Sequence, residues 1–147
     1  MLSAGAQAPS VSGADQNGVE RALAGEQGRA YVVYFYPKDG TPGCTTEACA
    51  FRDAWARYQG AQVDVFGVSD DDQKSHATFA KEQNLPFPII ADTAHAWGDA
   101  FGVKSGLFGY SRVTFLVGKD GKITKVYPDV DPGVHAAEVL RDAAQAP

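Results

Sequence analysis

Tyr31-Val32-Val33-Tyr34-Phe35-Tyr36 is an unbroken run of β-branched and aromatic residues, the pattern of a strand buried on both faces. It is predicted to be the central strand of a sheet. A second such run, Val63 to Val68, follows a helical stretch expected from about Thr45 to Tyr58. Strand, helix, strand in that order implies a right-handed parallel crossover and an α/β core. Beyond it, Ser69-Asp70-Asp71-Asp72 reads as a helix cap and solvated turn rather than a metal site. A helix from Gln73 to Gln83 then stops ahead of Leu85-Pro86-Phe87-Pro88. Ile89-Ile90 is expected as a short strand and Ala94 to Phe101 as a short helix. Val113 to Val117 and Ile123 to Tyr127 flank Gly118-Lys119-Asp120-Gly121, whose Asp-Gly step signals an antiparallel hairpin. Gly133 to Ala144 reads as a last helix, and residues 145–147 are expected to fray.

The sequence has 147 residues, a length that suits one domain over 1–147, burying roughly 68–70% of the surface its unfolded chain would expose. With 44% hydrophobic, 11% aromatic and 21% charged residues, the composition is that of a globular chain and not a disordered one. No internal repeat, low-complexity tract or linker interrupts it. A βαβ unit followed by a hairpin and a helix is the layout of a thioredoxin-like fold, a central mixed β-sheet flanked by helices. That architecture alone leaves the function open.

Acidic residues outnumber basic ones by 18 to 13, giving a formal charge of −5 that repels phosphate groups, so neither nucleic acid nor a membrane surface is an expected partner. The first residues carry no basic segment and no apolar segment of an export signal, and no apolar run approaches the ~18 residues of a membrane span. A cytoplasmic location is the expectation. Two cysteines, Cys44 and Cys49, are too few for a disulfide-stapled secreted domain or a four-thiolate zinc site. His76, His95 and His135 lie scattered over separate elements without metal-ligand spacing and are read as structural. Trp55 and Trp97 read as core or pocket-wall aromatics. No cofactor fingerprint occurs, and no metal or bound cofactor is expected.

The informative segment is Pro37-Lys38-Asp39-Gly40-Thr41-Pro42-Gly43-Cys44-Thr45-Thr46-Glu47-Ala48-Cys49, which leaves the carboxyl end of the central strand, where α/β folds place their ligand sites. Thr41 suits an N-cap and Pro42 the first helical position. Cys44 then sits in the first turn, where free N–H groups and the positive dipole end favour an anion such as a thiolate. Cys44, Ala48, Phe51, Trp55 and Tyr58 recur at spacings of four, three, four and three, one apolar face turned to the sheet. Cys44 is therefore expected to be recessed at the base of a pocket. Cys49 is rotated about 140° from it and points away, with the two Cα atoms roughly 8.7 Å apart in an intact helix. A disulfide tolerates at most about 7 Å, so the pair can bond only if the first turn unwinds. As inert small hydrophobes the two cysteines would need no Thr, Pro and Gly around Cys44.

Pro37-x-x-x-Thr41-x-x-Cys44 matches the peroxiredoxin active-site signature. The segments Phe35-Tyr36-Pro37-Lys38-Asp39 and Thr41-Pro42-Gly43-Cys44-Thr45 closely resemble the bacterioferritin comigratory protein, or peroxiredoxin Q, branch. Glu47-Ala48-Cys49, Phe51-Arg52-Asp53, Gly67-Val68-Ser69, Ser75-His76, Leu85-Pro86-Phe87, Gly102-Val103, Ser111-Arg112-Val113-Thr114-Phe115-Leu116 and His135 extend the match over about Tyr31 to Leu140. Before Tyr31, Ala8-Pro9 fits, while Ser10-Val11-Ser12-Gly13-Ala14 replaces the hydrophobic alternation usual in the family's first hairpin.

The resemblance implies a peroxidase whose Cys44 thiolate attacks a peroxide to give a sulfenic acid. It implies hydrogen peroxide and organic hydroperoxides as substrates, thioredoxin or a similar dithiol as reductant, and Cys49 as the resolving cysteine of an intramolecular disulfide. A monomer is expected. Thr41 and Arg112 are the natural donors to peroxide and thiolate, because a charge on Arg112 at the start of an apolar strand is expensive if unpaired. Pro37, Pro42 and Gly43 are expected to shape the pocket. Glu47 either orients an arginine or is an exposed first-turn glutamate suited to the dipole. The alternatives are a peroxide sensor or holdase using the same cysteine, and a thioredoxin-like exchange protein.

Overall fold

The computed structural model describes residues 1–128, 130–133 and 135–145. The chain begins with a small hairpin, β1 (Ser12–Ala14) and β2 (Glu20–Ala22), followed by a short 3-10 turn at Leu23–Glu26. Polar residues fasten this hairpin. Buried Asp15 accepts from the amides of Asn17 and Val19 and from Arg21, while buried Gln16 donates to the Phe87 carbonyl and accepts from the Ile89 amide. Side-chain amide pairing replaces the missing hydrophobic alternation.

The expected run at Tyr31 forms β3 (Ala30–Phe35), and Tyr36 continues its bonding through its amide to the Val68 carbonyl. After the Pro37 loop come α1 (Pro42–Asp53) and α2 (Trp55–Gly60). The single helix expected to Tyr58 is thus two, broken at Ala54, where neither proline nor glycine signals a stop. Trp55 consequently lies half-buried while Cys44, Ala48, Phe51 and Tyr58 are buried. Next come β4 (Val63–Ser69), α3 (Gln73–Gln83), β5 (Ile89–Ala91) and α4 (Ala96–Phe101). α4 starts later than expected because His95 is in the left-handed region, φ 61°.

A two-stranded ribbon the sequence reading missed, β6 (Ser105–Gly106) and β7 (Gly109–Tyr110), precedes β8 (Val113–Val117) and β9 (Ile123–Tyr127). The chain ends in α5 (His135–Gln145). Gln145, expected to fray, closes this helix, and residues 146 and 147 lie outside the described residues.

Five strands make one mixed sheet in the order β5-β4-β3-β8-β9, with β3 parallel to β4 and antiparallel to β8. This is the thioredoxin-like arrangement. Alternation along β3 feeds two cores. Val32 and Tyr34 pack under α1, α2, α3 and α5, whereas Tyr31, Val33 and Phe35 pack with Trp97 and Phe101 of α4 on the other face. No helix among the described residues is long and apolar enough to cross a membrane.

Candidate active site

Thr41 occupies the N-cap position of α1 with extended backbone (φ −75°, ψ 151°), and Pro42 begins the helix. The Thr41 side chain does not cap. Its hydroxyl donates to the Lys38 carbonyl at 3.0 Å, closing the loop on itself. Pro42, expected in the pocket, is exposed and is not among the residues lining the cleft; its place at the first helical position follows from its preset φ and missing N–H.

Cys44 is only 1% exposed. Arg112, one residue before β8, reaches it across 68 positions of sequence, with Nη2 3.4 Å from Sγ. The other fork nitrogen, Nη1, donates to Glu47 Oε1 at 2.8 Å. Glu47 is fully buried, so the exposed first-turn reading is wrong and the arginine-orienting one describes the geometry. Burial pushes its carboxyl up to about 7 although Arg112 pulls it down. Its second oxygen, Oε2, has no hydrogen-bond partner among the described residues. Burial works against the charge on Arg112, but the thiol and the carboxylate beside it outweigh that and hold it protonated. Gly43 makes room for the guanidinium, because a Cβ there would stand 3.0 Å from Nη2.

Above this trio lies an open cleft of about 560 Å³ lined by Pro37, Lys38, Thr41, Gly43, Arg112 and the residue 106–109 ribbon tip. Cys44 is buried and does not line the cleft itself, whereas Arg112, which contacts its sulfur, does. At the rim, Leu107 and Phe108 are 92% and 84% exposed, two apolar side chains that no sequence pattern singled out. The ribbon presses on the loop so closely that a Cβ at Gly109 (φ 93°) would collide with the Pro37 carbonyl. A Gly-x-x-Gly pair at 106 and 109 is the signal that could have found it.

Asp39, inside the loop, is the hub of a buried knot. Its carboxylate accepts from Tyr36 Oη (2.6 Å) and Ser75 Oγ (2.8 Å) and pairs with His76 Nδ1 (2.6 Å). Its amide donates to Asp71 Oδ2 at 2.9 Å. His76 Nε2 reaches the Ile90 carbonyl at 2.9 Å. Asp39, Asp71 and His76 bring their donor atoms within 4.8 Å of one another, and the hydrogen bonds named here fix the loop to Tyr36 just after β3, to the turn after β4 and to α3, with His76 tying α3 to β5. Of the aspartate run, only Asp72 caps α3, through the Ser75 amide. Asp70 binds Ser105 Oγ of the ribbon, and Asp71 binds the loop, so the turn is fastened rather than solvated.

Cys49 faces the other way, as expected. Its Sγ donates to Gln83 Oε1 of α3 at 3.3 Å, and both cysteines are free thiols. His135 lies buried against Thr114 Oγ1 at 2.8 Å, and burial lowers its pKa while Glu138 pulls it back.

The model of the AhpC/TSA family matches residues 4–126. The chain belongs to the AhpC/TSA family, in its peroxiredoxin Q branch. A chloroplastic peroxiredoxin Q of Triticum aestivum is 39% identical over 143 residues, 95% of this chain. The chain spans just under two thirds of that protein's length, 66%. Among solved structures, this family member superposes on peroxidoxin BcpB of Mycobacterium tuberculosis with a TM-score of 0.93 at 29% identity, covering 100% of this chain and 99% of that one. The bacterioferritin comigratory protein of Xanthomonas campestris, described for its alkyl peroxide reduction activity, matches at a TM-score of 0.90 and 31% identity, over 97% of this chain and 98% of that one.

Proposed function

We propose that this peroxiredoxin is a thiol peroxidase that reduces hydrogen peroxide and organic hydroperoxides. The observation that carries the reading is the Arg112 fork, with one nitrogen on a buried thiol and the other on a buried carboxylate. Alkyl peroxide reduction by the Xanthomonas campestris relative supports it. Cys44 sulfur attacks one peroxide oxygen, an S–O bond forms as the O–O bond breaks, and the departing oxygen leaves as water or alcohol after taking a proton. Ionising the thiol cannot supply most of the acceleration. A free thiol of pKa about 8.5 is already roughly 3% ionised at pH 7, so full ionisation gains at most about thirtyfold. The larger share falls to orientation and to donors that meet the developing negative charge in a partly dry site. Arg112 is placed for that. Thr41, whose hydroxyl hydrogen is committed to Lys38, offers the peroxide O–H an acceptor.

Cys49 then resolves the sulfenic acid as an intramolecular disulfide, which a dithiol reductant of the thioredoxin kind reduces. Because both sulfurs belong to one chain, the cycle closes in a monomer, and a reducing cytoplasm is the compartment that supplies such a dithiol reductant. The test is NADPH oxidation on adding peroxide to the protein with thioredoxin and thioredoxin reductase. Sustained turnover that disappears in Cys44→Ser is expected. A single oxidation without turnover would instead make the protein a sensor.

A further inference from the structure

The thiol of Cys49 is held. Besides its bond to Gln83 Oε1 at 3.3 Å, Arg52, three residues along the same helix, donates from Nη1 to the Gln83 main-chain carbonyl at 2.8 Å. Gln83 is the last residue of α3, and Asn84 after it turns left-handed at φ 53°. The final carbonyls of a helix have no intrahelical partner and carry the negative end of its dipole, which favours a cation. Arg52 therefore docks on α3 for a reason independent of any thiol. Between the two, Phe51 is fully buried and stacked on Tyr34 at 4.8 Å.

These contacts divide α1. The part from Pro42 to about Ala50 has to unwind for the two sulfurs to meet, and the Phe51–Arg52 end stays anchored. Gln83 touches both parts, the anchor through its main chain and the moving cysteine through its side chain. We propose that Gln83 is a positioning residue, a latch that retains Cys49 against α3 and so sets how fast a sulfenic acid on Cys44 is resolved and how much of it is overoxidised. The inference rests on the roles of Cys44 and Cys49 given above.

In the resolving step the Cys49 thiol gives up its proton and its sulfur attacks the sulfenic sulfur. The S–S bond forms, the S–O bond breaks, and the hydroxyl leaves with the proton as water. In the competing step a second hydroperoxide transfers oxygen to the sulfenic sulfur, giving sulfinic acid and water or an alcohol. The Cys49 to Gln83 bond must break before the first step and is irrelevant to the second. A thiol is a weak donor, so losing this bond should speed resolution by about two- to fivefold.

Gln83→Ala removes the acceptor while leaving the main-chain carbonyl for Arg52, and Gln83→Glu keeps an acceptor oxygen. Rapid-quench mass spectrometry after mixing with hydrogen peroxide separates peroxide-dependent oxidation of Cys44 from peroxide-independent disulfide formation. Gln83→Ala should oxidise at the parent rate, form the disulfide about two- to fivefold faster and accumulate correspondingly less sulfinic acid. Gln83→Glu should form it at the parent rate or more slowly. If Gln83→Ala matches the parent in the second phase, the latch is overturned while the peroxidase reading stands. If the parent forms no bond between Cys44 and Cys49, the resolving role and the latch fall together.

Discussion

Arg112 meets two groups that compete for it, a thiol that can become an anion and a carboxyl that burial drives toward neutrality. Replacing Arg112 with Ala should slow Cys44 oxidation in stopped flow by more than the roughly thirtyfold that ionisation accounts for, because transition-state charge is then unmet. Lys should rescue little, since it lacks a fork that can serve sulfur and carboxylate together. A rate within a few fold of the parent would make Arg112 structural. Glu47 carries its own signature. Folding raises its pKa from 4.5 to about 7, so between those values the folded chain binds more protons than the unfolded one, and stability falls as pH rises through that window. Glu47→Gln should flatten that slope in urea unfolding, leaving the variant relatively more stable at pH 8 than at pH 5. Parallel pH profiles for parent and variant would refute it. The sequence left Glu47 open between two roles because what decides its burial, Arg112, lies 65 positions away.

At the scale of elements, α1 is the part expected to change. Cys44 faces Arg112 and Cys49 faces α3, so oxidation to the disulfide should abolish hydrogen-exchange protection from Cys44 to about Ala50 and leave β3, β4 and β8 unaltered. Cys49→Ser should stop at the sulfenic acid and keep its protection. Equal protection in reduced and disulfide-bonded protein would exclude local unfolding. Elements whose burial is decided locally were readable: β8 and β9 lie at Val113–Val117 and Ile123–Tyr127, and α3 at Gln73–Gln83, as their patterns predict. The break at Ala54 was not, as no residue there forbids a helix. Nor was the β1–β2 hairpin, whose fastener Gln16 finds its partners 71 and 73 positions away.

Taken whole, the molecule holds its cleft between two faces tied by backbone contact. The loop is knotted to α3 through Asp39 and His76, and the β6–β7 ribbon leans on it at Gly109. Gly109→Ala should therefore lower stability by about 1–3 kcal/mol from its left-handed backbone alone, and the collision with Pro37 should also slow Cys44 oxidation. An unchanged urea midpoint would show that the ribbon yields freely.

The antiparallel seating of β8 beside β3 also orders events in time. Cys44 and the strand before it leave the ribosome well before Arg112, 68 residues later, and pairing so distant in sequence forms late in folding. A nascent chain thus carries Cys44 before its Arg112 contact exists. The Arg112 contact to Cys44 can therefore form only after β8 has been made and docked beside β3, so a product truncated or stalled before Arg112 would carry the cysteine without that partner.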